Sequence, residues 1–457
     1  MKNRSHESSN RSIIKSFFLL LLLSSAIAIQ AQEQTAVAGA KLVKVAEGWA
    51  KNSVNTVVFR KDPMATFKNT QYIAFYNQKG KVVLGKRKLG STAWELKVSQ
   101  YAGKVNDAHM SISLMVDGEG YVHISWNHHN NKLHYAKSVS PGSLVLTNEL
   151  SMTGNKEDRV TYPQFFKLPN GNLIFLYRDG SSGNGNLLMN AYETKSQRWT
   201  QIQSNLIDGE SNRNAYWQMH IDTKGVFHLS WVWRENNTTA SVSANHDICY
   251  AKSTDQGLTW QKTTGERYQL PINQASAEYA VKIPQNSELI NQTSMTVDHD
   301  GFPYIATYWR SADSKIPQYK LVYFDGKKWD VQQVSDRKTP FTLSGGGTKR
   351  IPISRPQMMT YRHKGVAKAL LIFRDEEHGD KVTAGICDDL AKGVWRTVNL
   401  TSLSVGQWEP TFDEELWKQK NLLHLFVQKV EQSDGEGVTN VGPAMVYVLE
   451  WDPKKVK

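Results

Sequence analysis

One turn recurs along this chain, and it limits the available folds more than any other feature. It occurs at Asn77-Gln78-Lys79-Gly80, Asp117-Gly118-Glu119-Gly120, Leu168-Pro169-Asn170-Gly171, Asp222-Thr223-Lys224-Gly225, Asp298-His299-Asp300-Gly301 and Arg362-His363-Lys364-Gly365. A degenerate seventh copy is Lys418-Gln419-Lys420-Asn421. Each copy follows an alternating run and precedes an apolar one, which is the signature of a hairpin. Sustained helical periodicity is nearly absent. The copies lie about 40 to 75 residues apart, the period of propeller blades with loop insertions. The pattern predicts an all-β chain forming a single seven-bladed β-propeller.

A second repeat agrees with the first. Tyr135-Ala136-Lys137-Ser138 returns as Tyr250-Ala251-Lys252-Ser253, which runs on into Ser253-Thr254-Asp255-Gln256-Gly257-Leu258-Thr259-Trp260. This is the S-x-D-x-G-x-x-W turn of propeller blade edges. Weaker versions end on Trp94, Trp199, Trp329 and Trp395, which are read as blade-packing residues. The last strand, Ala444 to Trp451, is expected to close the ring with a strand near Val54 to Phe59.

The ends and the composition narrow the class. Lys2, Arg4, Arg11 and Lys15 precede an apolar run from Ile13 to about Ala28, followed by small residues. This reads as a signal peptide over 1–31, an exported propeller domain over 32–457, and a secreted or periplasmic location. The apolar run is short for a membrane span. Only Cys249 and Cys387 are present, too few for a disulfide framework. The net charge of +12 falls by about three without the leader, so the mature chain stays basic. No lysine tract with interleaved aromatics supports nucleic acid, so an anionic polysaccharide or a cell surface is the better partner.

Aligned on the turn glycine, Arg178 is seventh, and His129, Arg234, Arg310 and Arg374 are ninth on their strands. Seven and nine share parity, so these side chains face one way and predict a basic rim. Asn127, Tyr216 and Arg355 complete the candidate substrate contacts with Arg234 and Arg310. His109 starts the inbound strand one blade before Tyr162, at a comparable level, so His109, His129, Tyr162 and Arg178 can converge on one canyon. His123, His228 and His424 share one position after the turn, a packing role. His228, His246 and Cys249 are the candidates for a structural zinc.

With these residues in view, the chain resembles the BNR-repeat propellers that include the ulvan lyases. The likeness spans nearly the whole mature chain. Its carriers include NDAHMSISLMVDGEGYVHISWNHHNN, TYPQFFKLPNGNLIFLYRDGSSGNGN, HLSWVWRE and NHDICYAKSTDQGLTW. The resemblance implies that His109, His129, Tyr162 and Arg178 are catalytic and that the reaction is β-elimination at a 4-linked uronate. Arg178 would neutralise the uronate carboxylate, His109 and Tyr162 would share the base and acid roles, and His129 would support them. Met110 departs from the pattern, where asparagine is expected after the histidine. The implied substrate is ulvan, a sulfated polysaccharide, cut by a monomer. No cofactor is required for catalysis, with room for a structural zinc or calcium ion.

Three other readings stay open. A rhamnosidase of related fold uses a histidine from the N-terminal part of the propeller, and the only one before His109 is His6 in the leader. A sialidase needs Phe-Arg-Ile-Pro, which Phe59-Arg60-Lys61-Asp62 does not match. A non-catalytic sugar-binding propeller does not need both an acid and a base. Gly345-Gly346-Gly347-Thr348-Lys349 lacks the spacing of a phosphate loop.

Overall fold

The computed structural model describes residues 36, 38–59, 62–236 and 242–455; the leader expected over 1–31 lies outside them. Among the described residues seven antiparallel sheets follow one another along the chain. Blade I comprises Met64–Phe67, Thr70–Tyr76, Lys81–Lys88 and Glu95–Ala102. Blade II comprises Ile112–Val116, Val122–Trp126 and Tyr135–Lys137. Blade III comprises Val160–Lys167, Leu173–Ser181, Asn184–Glu193 and Arg198–Ile207, joined at its inner edge by the short strand His129–Asn131. Blades IV, V and VI are four-stranded and begin at Arg213–Ile221, Ser294–Val297 and Gln357–His363. Blade VII pairs Leu423–Gln428 with Ala444–Trp451, and Lys41–Gly48 closes the ring on its outer edge. None of the helices among the described residues is long and apolar enough to cross a membrane.

The recurrent turn works through its first or third side chain. Asn77, Asp117, Asp222 and Asp298 each accept hydrogen bonds on Oδ1 from the backbone N–H groups two and four residues on. The glycine then takes the left-handed conformation, with φ of 69° to 92° at Gly80, Gly120, Gly225 and Gly301. The seventh copy differs. Residues Glu414–Lys420 form a helix capped by Asp413, whose carboxylate accepts the Leu416 N–H, and Asn421 ends it at φ 51°. Asp413 with Glu414 and Glu415 in the first turn is a helix start. Only the left-handed terminal residue of the turn survives there.

The ring closure also differs from expectation. Val54 to Phe59 is not a strand; Thr56 N and Val57 N both donate to the Ser53 carbonyl. Its β-branched run suits burial, and here it is buried without pairing. Its polar groups go elsewhere: Asn55 Nδ2 donates to the Tyr76 carbonyl and Val58 N to the Glu409 carboxylate. The segment thus enters the core and delivers Phe59 to the site described below.

Ser253 Oγ accepts from Gly257 N, Asp255 Oδ1 accepts from Thr259 N, and the Trp260 indole N–H donates to the Gly257 carbonyl. Trp260 is fully buried, and Trp94, Trp199, Trp329 and Trp395 pack against blade cores as expected. Trp260→Ala should cost about 3–5 kcal/mol of stability. A lower melting temperature with unchanged turnover at low temperature is the expected result, because Trp260 lies at a blade edge.

Candidate active site

The site begins with an irregularity in blade III. Thr161 pairs with Arg178 and Gln164 with Leu176, so Tyr162 and Pro163 together oppose Tyr177 in a β-bulge. Pro163 has no N–H to offer the ladder. Tyr162 takes φ 54°, a left-handed conformation costing on the order of 1–3 kcal/mol for a side chain of this size. The bulge turns the Tyr162 ring under the Arg178 guanidinium, 4.8 Å from it. Arg178 is 2% exposed; its Nε donates to the Gly180 carbonyl, and its buried Nη1 has no hydrogen-bond partner among the described residues.

Blade IV supplies a second phenol beside the first. Tyr216 lies 5.8 Å from Tyr162, ring to ring. Its hydroxyl accepts a 2.9 Å bond from Arg234 Nη1 and lies 3.2 Å from Ser182 Oγ. Arg234 is aimed by Asn245, whose Oδ1 accepts from Nε at 2.8 Å. Burial alone would raise the Tyr216 phenol, but Arg234, Arg178 and the Ser182 bond outweigh it and bring it down to about 7. Tyr162 goes the other way: burial and the neighbouring Tyr216 hold its proton on, against the pull of Arg178, Arg234 and Arg355.

Facing the phenols is a histidine pair organised by one carboxylate. Asp107 Oδ1 accepts from His109 N and lies 2.9 Å from His109 Nδ1, while its Oδ2 lies 2.7 Å from His129 Nδ1. His129 reaches this place because its short strand pairs with Thr161 of blade III. The imidazoles stack at 4.0 Å and 14°, and Phe59 stacks on the other face of His109 at 4.7 Å. Glu436, from the long excursion 429–443 in blade VII, lies 3.0 Å from His109 Nδ1. Burial would lower the His109 pKa, but the bonds from Asp107 and Glu436 raise it to about 9. Burial would raise the Asp107 carboxyl, but both histidines hold it well below the usual carboxylate range.

The two phenols, Arg178, Arg234, the histidine pair and Glu436 line one cavity of about 280 Å³, with Phe59, Lys349 and Arg355 on its walls. Asp107, His109 and His129 are also the one cluster of metal-ligand type among the described residues. A shared ion is poorly served there. An imidazole lone pair lies in its ring plane, and two rings stacked nearly parallel cannot both aim Nδ1 at one centre.

The expected quartet of His109, His129, Tyr162 and Arg178 therefore converges, as do Tyr216, Arg234 and Arg355. Other expectations need correction. Arg310 is tied to Glu288 at 2.6 Å and to the carbonyls of Asn286 and Ser314, away from the cavity. Arg374 donates to Ile351, Pro352 and Trp408 carbonyls and to Asp380, so it braces the inter-blade loop. Asn127 turns away, its Oδ1 accepting from Lys104 N. Arg355 lines the cavity, but Glu409 takes up its charge at 2.8 and 2.7 Å. Its guanidinium stacks on Phe59 at 4.7 Å.

The zinc candidates do not meet. His228 pairs across the sheet with Lys252 and Trp233 with His246, so His228 and His246 sit at opposite ends of blade IV. His246 is held by Glu235 and Asp247, His228 by Tyr250, and Cys249 is buried opposite Trp231. Proximity along one hairpin does not bring the three donors together, because five residues of strand separate the levels of His228 and His246. Sequence reasoning missed Phe59, Asp107, Glu409 and Glu436. Only Asp107, two residues before His109, left a local signal.

Residues 70–337 match a family model described as BNR repeat-containing family member. The chain belongs to this family. The BNR-repeat chain is 28% identical over 196 residues to the short-isoform ulvan lyase of Alteromonas sp. (strain LOR). That match covers 38% of this chain and 37% of the relative's length. A second ulvan lyase of the same strain is 24% identical over 338 residues, covering 63% of this chain and 67% of the relative. Among solved structures, polysaccharide lyase Uly1 superposes with a TM-score of 0.64 at 14% identity, covering 92% of this chain and 99% of that one. At that identity the likeness shows a common fold.

Proposed function

We propose that this protein is an exported polysaccharide lyase that cleaves ulvan by β-elimination at a 4-linked uronate next to sulfated rhamnose. Its relatives named ulvan lyase support the substrate class. The chemistry rests on one arrangement: two phenols lie under two arginines, one of which donates to the Tyr216 hydroxyl, and face a histidine held between two carboxylates.

Elimination needs a base at C5, an acid at O4, and positive charge at the carboxylate where the carbanion's electrons go. Arg178 carries the unmet Nη1 donor and His109 an imidazolium, so these two take the carboxylate. Tyr216, ionising near neutrality, removes the C5 proton. The electron pair moves into the carboxylate, then forms the C4–C5 double bond as the C4–O4 bond breaks. Tyr162, which keeps its proton, gives it to O4. Asp107 and Glu436 at Nδ1 favour the His109 imidazolium, so this reading gives the base role to Tyr216 in place of the expected His109 and Tyr162 pair and keeps Tyr162 as the acid. Arg234 tunes Tyr216, and His129 braces Asp107. The basic rim, smaller than sequence parity implied, suits the sulfate esters.

The test is ultraviolet absorbance over time with the purified protein and ulvan. Absorbance should rise as unsaturated uronyl ends form. Reducing ends released without that absorbance would show hydrolysis and end the lyase reading.

A further inference from the structure

We propose that Glu436 is a positioning residue that fixes the proton on His109 Nδ1 and thereby keeps Nε2 presented to the cavity as a donor. The geometry leaves little choice for Nδ1. Asp107 Oδ1 lies 2.9 Å from it and Glu436 Oε1 3.0 Å, and a nitrogen between two carboxylates must carry its hydrogen. Only Nε2 is then left to change state. Two negative charges at Nδ1 favour the imidazolium, whose Nε2–H can donate to an anion; one charge favours it far less.

Glu436 is itself held. Its Oε1 accepts from Thr348 N at 2.8 Å and Thr348 Oγ1 at 3.1 Å, and its Oε2 accepts from Ala108 N at 3.3 Å. Around it, Gly435 N donates to the Thr348 carbonyl and Lys349 Nζ pairs with Asp434 at 2.8 Å. The glycine run Gly345-Gly346-Gly347 is no phosphate loop; Gly347 takes φ 75° with Gly435 and Glu436 packed against it. Two excursions, 343–350 from between blades V and VI and 429–443 within blade VII, thus meet beside a histidine of blade II. The charged or titratable groups around His109 are Asp107 on its own turn, Glu436, His129 stacked on it, Tyr162 and Tyr216 across the cavity, and Arg178, Arg234, Arg355 and Lys349 on the cavity's other walls.

The proposal deepens the lyase reading and rests on it for its kinetic consequence, so two measurements are needed. Imidazole NMR of the full chain, with His109 assigned by its loss in His109→Gln, follows protonation without substrate. Glu436→Gln should lower the His109 titration midpoint by about one unit or more, and Glu436→Asp should recover part of it. With ulvan, the high-pH limb of kcat/KM should move by the same amount in the same variants. A midpoint unchanged in Glu436→Gln, with circular dichroism intact, overturns the proposal. A midpoint that moves while the limb stays overturns its catalytic part. A midpoint that moves in a protein inert towards ulvan leaves Glu436's role standing and removes the lyase reading. Should Glu436→Gln fail to fold, Glu436→Asp, whose shorter arm withdraws the carboxylate from the 3.0 Å contact, must lower the midpoint by a smaller amount in the same direction.

Discussion

Arg178→Ala should lower kcat/KM on ulvan by about a thousandfold or more while leaving the fold intact. Removing one preorganised donor from a developing anion costs about 10²–10³ in rate. Arg178 does more than donate. Its guanidinium lies 4.8 Å from the Tyr162 ring and 5.7 Å from Tyr216, and it helps to lower the Tyr216 phenol. The substitution therefore removes carboxylate neutralisation and weakens the base together. Arg178→Lys should recover little, because an ammonium cannot fork a carboxylate or stack flat on a phenol. Arg310→Gln is the control. Arg310 occupies the related strand-end position in blade V but spends its donors on Glu288 and two carbonyls, so kcat/KM should stay within a few-fold of wild type. Equal losses in the two variants would show that the arginines act through the rim's overall charge, and the assignment of Arg178 would fail.

That contrast between Arg178 and Arg310 also shows how far the residues could be read in advance. Strand parity is local: a period of two places side chains on a face wherever the strand lies, so the blades and the level of His109, Tyr162 and Arg178 were legible. What parity cannot say is whether a strand-end cation meets a carboxylate carried by a loop. Glu288 and Asp380 neutralise Arg310 and Arg374, and Glu409 does the same for Arg355 from 54 residues away. Glu436 reaches His109 across more than 300 positions of chain and carries no periodic signal. Tyr216 was legible as a contact but not as a base, since its ionisation depends on Arg234 and Arg178, held by two successive blades. Phe59 was hidden by a β-branched run that reads as a strand and folds as a buried turn. The zinc reading failed for a related reason, since three donors within one hairpin can still point to opposite ends of it.

The sharpest statement about the chemistry is a pH profile. Wild-type kcat/KM should rise as Tyr216 ionises near 7 and fall as His109 loses its proton near 9. The signs follow from the direction of each shift. Tyr216 is held below the ordinary phenol value of about 10, so the basic form accumulates as pH climbs through the lower value. His109 is held above the ordinary imidazole value of about 6.5, so its charge persists until the upper one. Tyr216→Phe should reduce kcat/KM by about 10²–10⁴-fold, the usual contribution of a general base. It should also remove the rising limb near 7 that ionisation of Tyr216 supplies. Tyr162→Phe should cost a comparable factor while keeping that limb, since it removes the acid and leaves the base titrating. A profile in which Tyr216→Phe keeps the lower limb and Tyr162→Phe loses it would exchange the two roles. The electrostatics argue against that exchange. Arg234 donates directly to the Tyr216 hydroxyl at 2.9 Å, whereas the Tyr162 ring packs beneath Arg178 and against Phe59 at 4.9 Å, where burial favours the neutral phenol.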